Sequence, residues 1–186
     1  KRGLKKYLSK DSKKIKVLDI ATGTGRTLQQ IQSALPEVEL YGIDLSGAYL
    51  KQASKYLSSR NGDLVQLVRG NAEEMPFESN TMQAATCVFL LHELPRSARQ
   101  NVINECFRLI EPGGLLVLAD SIQVNDSPKF IPVLENFHKT FHEPYYRDYI
   151  KDNIEERLSS AGFIDIQGKS HFMTRVWTAT KPIKQE

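Results

Sequence analysis

Strand-like and helix-like patterns alternate along this chain as far as residue 120, and this alternation restricts the fold more than any other feature. Short apolar runs predict strands at Ile15–Ile20, Val38–Ile43, Leu64–Val68, Ala84–Leu91 and Leu115–Ala119. Strands that are joined by helices form a parallel sheet with right-handed crossovers. The sequence therefore predicts an α/β fold, a Rossmann-like doubly wound sheet of about seven strands that is mostly parallel, with helices on both faces.

Beyond residue 120 the alternation lapses. Residues 121–149 are rich in proline and aromatic side chains and are expected to form an insert. Phe163–Gly168 and Phe172–Thr180 have the pattern of strands separated by few residues, so the last strand should be antiparallel. The predicted helices are Arg26–Leu35, Ser46–Ser58, Ser97–Ile110 and Ile150–Ala161.

Length and composition indicate one globular domain over residues 1–186. With 40% hydrophobic and 25% charged residues, the chain has ordinary globular composition and enough length for one core. Two cysteines are too few for a disulfide framework. The longest apolar stretch, Ala84–Leu91, is far shorter than the ~20 residues of a membrane-spanning helix, so no transmembrane segment is expected.

Positive charge is concentrated at the start of the chain. Residues 1–16 contain eight basic residues and one acidic residue, whereas the rest of the chain is mildly acidic. We expect a basic helix over residues 1–14, truncated at its start, with its lysines in solvent. A nucleic-acid enzyme usually spreads positive potential over its working face, so nucleic acid is not the expected partner.

The turn after the first predicted strand has the small residues of a ligand-binding loop. Asp19 precedes the segment ATGTG, in which small side chains let backbone N–H groups approach a ligand closely. Asp44 ends the next strand, 19 residues after Gly25. A carboxylate in that position can accept hydrogen bonds from both hydroxyls of a ribose. Together these residues predict a nucleotide site at the carboxyl ends of the strands.

The same turn favours a nucleotide with a cationic group over a dinucleotide. The dinucleotide fingerprint G-x-G-x-x-G has Leu28 in its third glycine position here. Asp19 places a negative charge at the start of the turn, which suits a cationic ligand better than a diphosphate. No tyrosine is followed four residues later by lysine, which also disfavours a nicotinamide-dependent oxidoreductase. That class stays an alternative.

Five motifs occur in the order and at the spacing typical of a known family. They are VLDIATGTGRTL, YGIDLS, GNAEEMPF, FLLHELP and RLIEPGGLLVLAD. Over residues 15–120 the chain resembles the class I S-adenosylmethionine-dependent methyltransferases, in the small-molecule branch related to ubiquinone and menaquinone biosynthesis enzymes. HELPRSAR, LADSIQ and FHEPYYRDYI are most similar to a group found in cyanobacteria and plastids. The resemblance implies a single methyltransferase domain located in the cytoplasm or the plastid stroma.

The resemblance implies S-adenosyl-L-methionine as the cofactor and S-adenosyl-L-homocysteine as its product. The family usually has glycine where Ala21 stands and aspartate where Asn71 stands. Alanine is still small, and the asparagine oxygen still accepts a hydrogen bond. The implied cofactor-binding residues are Asp19, Ala21, Gly23, Gly25, Asp44, Leu45, Asn71, Ala72, Met75, Phe89 and Leu90.

His92 and Glu93, at the end of the fourth predicted strand, are the catalytic candidates. The resemblance places both beside the methyl-transfer centre, and the ordinary pKa of histidine suits a base at neutral pH. In-line attack on the sulfonium methyl needs alignment and exclusion of water, and needs a base only when the acceptor must lose a proton. His92 is therefore either that base or a side chain that only hydrogen-bonds the loop.

The insert at 121–149 is expected to lie near the acceptor site. Its aromatic side chains suit a planar or apolar acceptor, although they would equally pack the insert onto the sheet. The candidate substrate-binding residues are His142, Tyr145 and Tyr146. His138 and His142 lie one helical turn apart but lack a clear third ligand, so no metal is expected.

The expected acceptor is a small molecule, and other functions stay open. FLLHELP lacks the (N/D)PP(Y/F) tetrad that such a resemblance associates with nucleobase and protein amino-methyltransferases. The remaining alternatives are a non-catalytic module that binds S-adenosylmethionine or S-adenosylhomocysteine and an RNA methyltransferase that uses the basic N-terminal helix. The sequence leaves open the acceptor, the methylated atom and the oligomeric state.

Overall fold

A computed structural model describes residues 15–58 and 65–183 of the chain. The predicted basic helix at residues 1–14 lies outside the described residues. Seven strands fall within these ranges. They are β1 (Lys16–Ile20), β2 (Glu39–Asp44), β3 (Val65–Arg69), β4 (Met82–Val88), β5 (Ile110–Ser121), β6 (Ile164–His171) and β7 (Thr174–Thr180).

The strands form one sheet in the order β3-β2-β1-β4-β5-β7-β6. All neighbouring pairs from β3 to β5 are parallel. β7 is antiparallel to both β5 and β6. The predicted doubly wound, mostly parallel sheet with an antiparallel last strand is confirmed. The direction of strand order reverses between β1 and β4, which is where sheets of this kind bind ligands.

Helices cover both faces of the sheet because side chains alternate along each strand. The helices are α1 (Arg26–Ala34), α2 (Gly47–Ser58), α3 (Arg96–Leu109), α4 (Ile131–Phe141), α5 (Tyr146–Tyr149) and α6 (Ile154–Ala161). Val17 of β1 shares an apolar cluster with α1 and α2, whereas Leu18 shares the larger cluster with α3 to α6. No helix in the described ranges has the length and apolar character needed to cross a bilayer.

The fourth strand ends earlier than predicted, and this difference places the catalytic candidates. β4 stops at Val88 rather than Leu91, and Phe89 then takes a left-handed φ of 54°. A 3-10 helix follows over Leu91–Glu93. The backbone N–H groups of Leu91 and His92 donate hydrogen bonds to the carboxylate of Asp120 and not to a neighbouring strand. His92 and Glu93 therefore lie on a turn.

Two other predicted boundaries also differ from the structure. β5 begins at Ile110, before the predicted start at Leu115, and its register against β4 shifts between Met82 and Ala84. The predicted helix at 150–161 begins at Ile154, because the side chain of Asn153 accepts a hydrogen bond from Glu156 N–H and caps it there. Residues 121–149 contain α4, α5 and a 3-10 helix at Pro128–Phe130.

Arg99 of α3 fastens the insert to the turn after β4. Its side chain is fully buried and ion-pairs with Asp148 and Asp152 at 2.9 and 2.6 Å. The same guanidinium donates to the carbonyl oxygens of Leu91 and Tyr145 at 2.9 and 3.2 Å. Removing one partner of a buried ion pair leaves uncompensated polar groups in the interior. Arg99 thus makes the position of the 3-10 turn depend on α5 and the segment after it.

We expect Arg99→Met to lower the free energy of unfolding by about 3 kcal/mol. The two carbonyl oxygens and the two carboxylates that Arg99 contacts would each lose a buried hydrogen-bond donor. Urea denaturation followed by circular dichroism would measure it. Arg96→Met is the matched control, since Arg96 pairs with Asp148 from an exposed position and should change the midpoint much less. Equal effects of the two substitutions would contradict this account.

Candidate active site

A cavity of about 400 Å³ lies at the carboxyl ends of β1 to β4, at the reversal of strand order. A second cavity of about 420 Å³ lies between α1 and strands β1, β4 and β5, and no titratable side chain lines it. The first cavity is therefore the candidate site. The predicted site residues that line it are Ala21, Gly23, Asp44, Leu45, Asn71, Ala72, Phe89, Leu90 and Glu93.

Left-handed backbone at three positions shapes the turn after β1. Ala21, Gly23 and Gly25 have φ angles of 54°, 54° and 81°. A Cβ makes this region unfavourable, which gives a physical reason for the family's usual glycine at the position of Ala21. Gly25 lies outside the cavity wall. A Cβ there would sit 3.2 Å from Ala53 Cβ and 3.2 Å from Leu57 Cδ1, so glycine at this position lets α1 pack against α2.

Asp44 ties this turn to the end of β2. One carboxylate oxygen accepts a hydrogen bond from Gly23 N–H at 2.8 Å, and the other accepts one from Ser46 N–H at 2.8 Å. Each carboxylate oxygen can accept more than one hydrogen bond. Asp44 is therefore fixed in orientation and still able to accept from the hydroxyls of a ligand in the cavity.

Two exposed apolar side chains flank the cavity next to Asp44. Leu45 is 68% exposed and Tyr49 is 56% exposed, and both line the cavity. Tyr49 was not among the predicted site residues, although its position about one helical turn after the end of β2 could have indicated the site. The side-chain oxygen of Asn71 accepts a hydrogen bond from Glu73 N–H at 3.0 Å, and this bond stabilises the turn that contains both residues. These residues form a cleft suited to a flat ring.

Asp19 and Met75 do not line the cavity. Asp19 is almost fully buried, and its carboxylate accepts hydrogen bonds from the hydroxyls of Thr22 and Thr86 at 2.7 and 2.6 Å. Burial raises the pKa of Asp19 to about 6, against the two hydroxyl bonds, and the negative charge of Asp44 adds to the increase. Met75 is buried in the larger core cluster. Asp19 therefore supports the turn from beneath, and Met75 packs behind the site.

His92 is held by a buried carboxylate. Its Nδ1 lies 2.7 Å from Oδ1 of Asp120, which also accepts from Ser121 N–H. Burial lowers the pKa of His92, but the hydrogen bond and charge of Asp120 and the charges of Glu93 and Glu143 outweigh it, and the net shift is upward. Because Nδ1 is engaged, Nε2 is the nitrogen left for a ligand or a proton.

Glu143 comes from the insert to join the two catalytic candidates. One ring nitrogen of His92 and one carboxylate oxygen each of Glu93 and Glu143 lie within 4.8 Å of one another. Burial raises the pKa of Glu93, the negative charges of Glu143, Asp120 and Asp44 add to the increase, and His92 opposes it. Glu93 was a catalytic candidate from the sequence, but 50 residues separate it from Glu143 and no local pattern joins the two.

The substrate-binding candidates of the insert are placed differently from one another. Tyr146 is buried, with its hydroxyl 2.6 Å from Ser121 Oγ, and its ring packs edge-on against His92. Tyr145 and His142 are exposed, and His142 has a left-handed φ at the end of α4. None of the three lines the cavity. The structure thus gives Tyr146 a packing contact beside His92 and leaves the other two at the surface.

The fold and the cavity indicate the class of protein to which this chain belongs. A doubly wound sheet in this strand order, with a carboxylate-bearing cleft at the strand ends, belongs to proteins that bind a nucleotide-like cofactor at the switch point. Residues 17–114 match the family model described as "Methyltransferase domain". The chain therefore belongs to this methyltransferase domain family, and its predicted class, the class I S-adenosylmethionine-dependent methyltransferases, is confirmed.

Relatives and solved structures agree with this family. The chain is 34% identical over 109 residues to demethylmenaquinone methyltransferase of Anoxybacillus flavithermus, covering 58% of this chain and 45% of the relative. The Lactiplantibacillus plantarum enzyme of the same name is 35% identical over 119 residues, covering 63% and 49%. The chain thus spans about half the length of the curated relatives it matches.

Two solved structures have the same fold at low sequence identity. Haemonchus contortus phosphoethanolamine N-methyltransferase 2, in complex with S-adenosyl-L-methionine, has a TM-score of 0.75 at 16% identity, covering 97% of this chain and 52% of that one. The CurJ carbon methyltransferase has a TM-score of 0.70 at 18% identity, covering 95% and 50%. The fold therefore occurs in proteins named for methylating nitrogen and in proteins named for methylating carbon.

We expect Asp120→Asn to lower the pKa of His92, because the substitution removes the charge that opposes the effect of burial. A pH titration of the histidine ring nitrogens by NMR would measure the change. Asp165→Asn, at an exposed position on β6, is the control and should leave the His92 titration where it is. An unchanged pKa of His92 in Asp120→Asn would mean that the carboxylate of Asp120 does not set the proton affinity of this histidine.

We also expect Asp19→Asn to change how stability depends on pH. The folded-state pKa of about 6 lies above the ordinary 3.8, so the folded protein binds this proton more tightly and loses stability as pH rises from about 4 through about 6. The shift corresponds to about 3 kcal/mol, which the asparagine variant would not lose. Urea unfolding of both proteins at acidic and neutral pH tests this, and parallel stability curves would contradict it.

Proposed function

We propose that this protein transfers the methyl group of S-adenosylmethionine to a small-molecule acceptor, by in-line attack on the sulfonium methyl. One observation carries the proposal: Asp44 accepts Gly23 N–H at the cavity that lies at the reversal of strand order. This contact fixes a carboxylate beside the small-residue turn, which is the arrangement that the hydroxyls of a ribose require.

The cavity residues divide between the two ends of the cofactor. Asp44 holds the ribose hydroxyls, while Leu45 and Tyr49 cover one side of the adenine. Asn71 and Ala72 meet the adenine edge. Phe89 and Leu90 offer backbone carbonyl oxygens near the amino group of the methionine moiety. This assignment has support from the cavity wall, which contains all of these residues.

His92 is the general base when the acceptor must lose a proton. Asp120 holds Nδ1, so Nε2 takes the proton, and the carboxylate then stabilises the imidazolium that forms. His92 is not part of the cavity wall, whereas Glu93 is. A ring nitrogen of His92 lies within 4.8 Å of a carboxylate oxygen of Glu93. Much of the remaining rate comes from alignment and exclusion of water.

The acceptor is a small molecule in this proposal. Demethylmenaquinone methyltransferases among the relatives support an acceptor of that size. The aromatic insert lies on the same side as His92, since Tyr146 packs against its ring. We place the protein in the cytoplasm or the plastid stroma, as the resemblance implies. No contact in the described residues favours a nicotinamide cofactor or RNA.

We expect Asp44→Ala to weaken S-adenosylhomocysteine binding by roughly tenfold to a hundredfold, because two charge-assisted hydrogen bonds to the ribose are lost. Isothermal titration calorimetry with the product measures this without knowledge of the acceptor. Asp44→Asn retains one acceptor oxygen and should lose less. Glu37→Gln, exposed at the far end of the sheet, is the control and should bind like the wild type. Failure of the folded wild type to bind would sink the proposal.

A further inference from the structure

Two carboxylates lie beside the cofactor cavity, next to the ring of His92. In the described part of the chain, the side chains of Glu93 and Glu143 make no hydrogen bond and no ion pair with lysine or arginine. Glu143 is half-buried, and Glu93 lines the cavity. Two negative charges held close together at a partly desolvated position are unfavourable unless a cation joins them.

His92 adds a third acceptor to this pair. Its Nδ1 lies 2.7 Å from Oδ1 of Asp120, and the neutral tautomer that donates this hydrogen bond has its lone pair on Nε2. The ring is fixed by the edge-on contacts of Phe89, Tyr146 and Tyr149, with ring centroids 6.3, 5.9 and 6.1 Å away. One ring nitrogen of His92 and the carboxylates of Glu93 and Glu143 thus come within 4.8 Å of one another from two distant segments of the chain.

The surroundings of this point favour an organic cation. Three acceptors around an ammonium nitrogen at about 2.8 Å lie roughly 4.6 Å apart, whereas a metal ion at about 2.1 Å draws its ligands to roughly 3.4 Å. The three acceptor atoms lie within 4.8 Å of one another, a limit that admits the spacing around an ammonium nitrogen. Phe89 lies beside the group with 49% of its surface exposed and lines the cavity. An aromatic face attracts an alkylammonium group.

We propose that His92, Glu93 and Glu143 form an acceptor subsite for an alkylammonium group, so that this protein methylates the nitrogen of a primary or secondary amine. The inference rests on the proposed function and names the acceptor class for the same site. Glu93 and Glu143 hold the ammonium group, and Phe89 covers its alkyl part.

The reaction balances with the groups present and the proposed cofactor. The ammonium nitrogen gives one proton to Nε2 of His92, and the imidazolium is stabilised by Asp120. The freed nitrogen lone pair forms a bond to the sulfonium methyl carbon. The carbon–sulfur bond breaks and its electron pair returns to sulfur, leaving S-adenosylhomocysteine and a methylated ammonium. The proton on His92 then leaves to solvent.

Calorimetry on protein saturated with S-adenosylhomocysteine tests the subsite. The probes are 2-phenylethylamine, ethanolamine and methylamine, with the neutral isostere 2-phenylethanol as the matched ligand control. We expect at least one amine to bind and the alcohol not to bind. Glu143→Gln should weaken amine binding by about tenfold or more while S-adenosylhomocysteine still binds as in the wild type. Glu135→Gln, an exposed carboxylate on α4, is the control variant.

The outcomes separate the two proposals. If S-adenosylhomocysteine itself does not bind, the proposed function fails. If it binds but none of the three amines does, or if Glu143→Gln leaves amine binding unchanged, the amine subsite is wrong. Binding of Mn²⁺ that is lost in Glu143→Gln, without amine binding, would identify a metal site instead. Methyl transfer to a naphthohydroquinone at equal rates in wild type and Glu143→Gln would also overturn the inference.

Discussion

The carboxylate of Asp120 is the interaction on which the arrangement of the site depends. It is 1% exposed and accepts hydrogen bonds from the backbone N–H groups of Leu91, His92 and Ser121 and from the His92 ring. A buried carboxylate needs such donors, because charge in the interior is costly without them. Three of these four donors, the Leu91 and His92 N–H groups and the His92 ring, come from the segment after β4, which leaves the sheet and turns at Leu91. The turn places Glu93 in the cavity wall and His92 next to it.

The same junction also fixes the insert. Ser121, next to Asp120, pairs through its hydroxyl with Tyr146, and its carbonyl oxygen accepts from the hydroxyl of Tyr149. Arg99 also links the turn after β4 to the insert, since it donates a hydrogen bond to the carbonyl oxygen of Leu91 and forms an ion pair with Asp148. The side of the cavity next to His92 is thus held by buried polar bonds. The side next to Leu45 and Tyr49, by contrast, has exposed apolar side chains.

The sequence predicted the frame well, because the frame follows from local patterns. Apolar runs and helical spacing located the strands and most helices, and the small-residue turn with Asp44 located the cavity. The errors fall where a distant partner outweighs the local pattern. Residues 89–91 are apolar like the strand before them, yet the carboxylate at Asp120 ends β4 at Val88. The cofactor-binding role of Asp19 stays a prediction, and the hydroxyls of Thr22 and Thr86 hold its carboxylate beneath the turn.

The sequence by itself determined the fold class and the position of the cavity at the strand ends, since both depend on residue type at short spacing, and its motifs carried the resemblance to the family. Only the tertiary structure decided which side chains meet. His92 and Asp120 are 28 residues apart, and Glu93 and Glu143 are 50 apart. Contacts at such separations depend on how the strands pair and how the insert packs, because no local preference specifies the closure of a long loop.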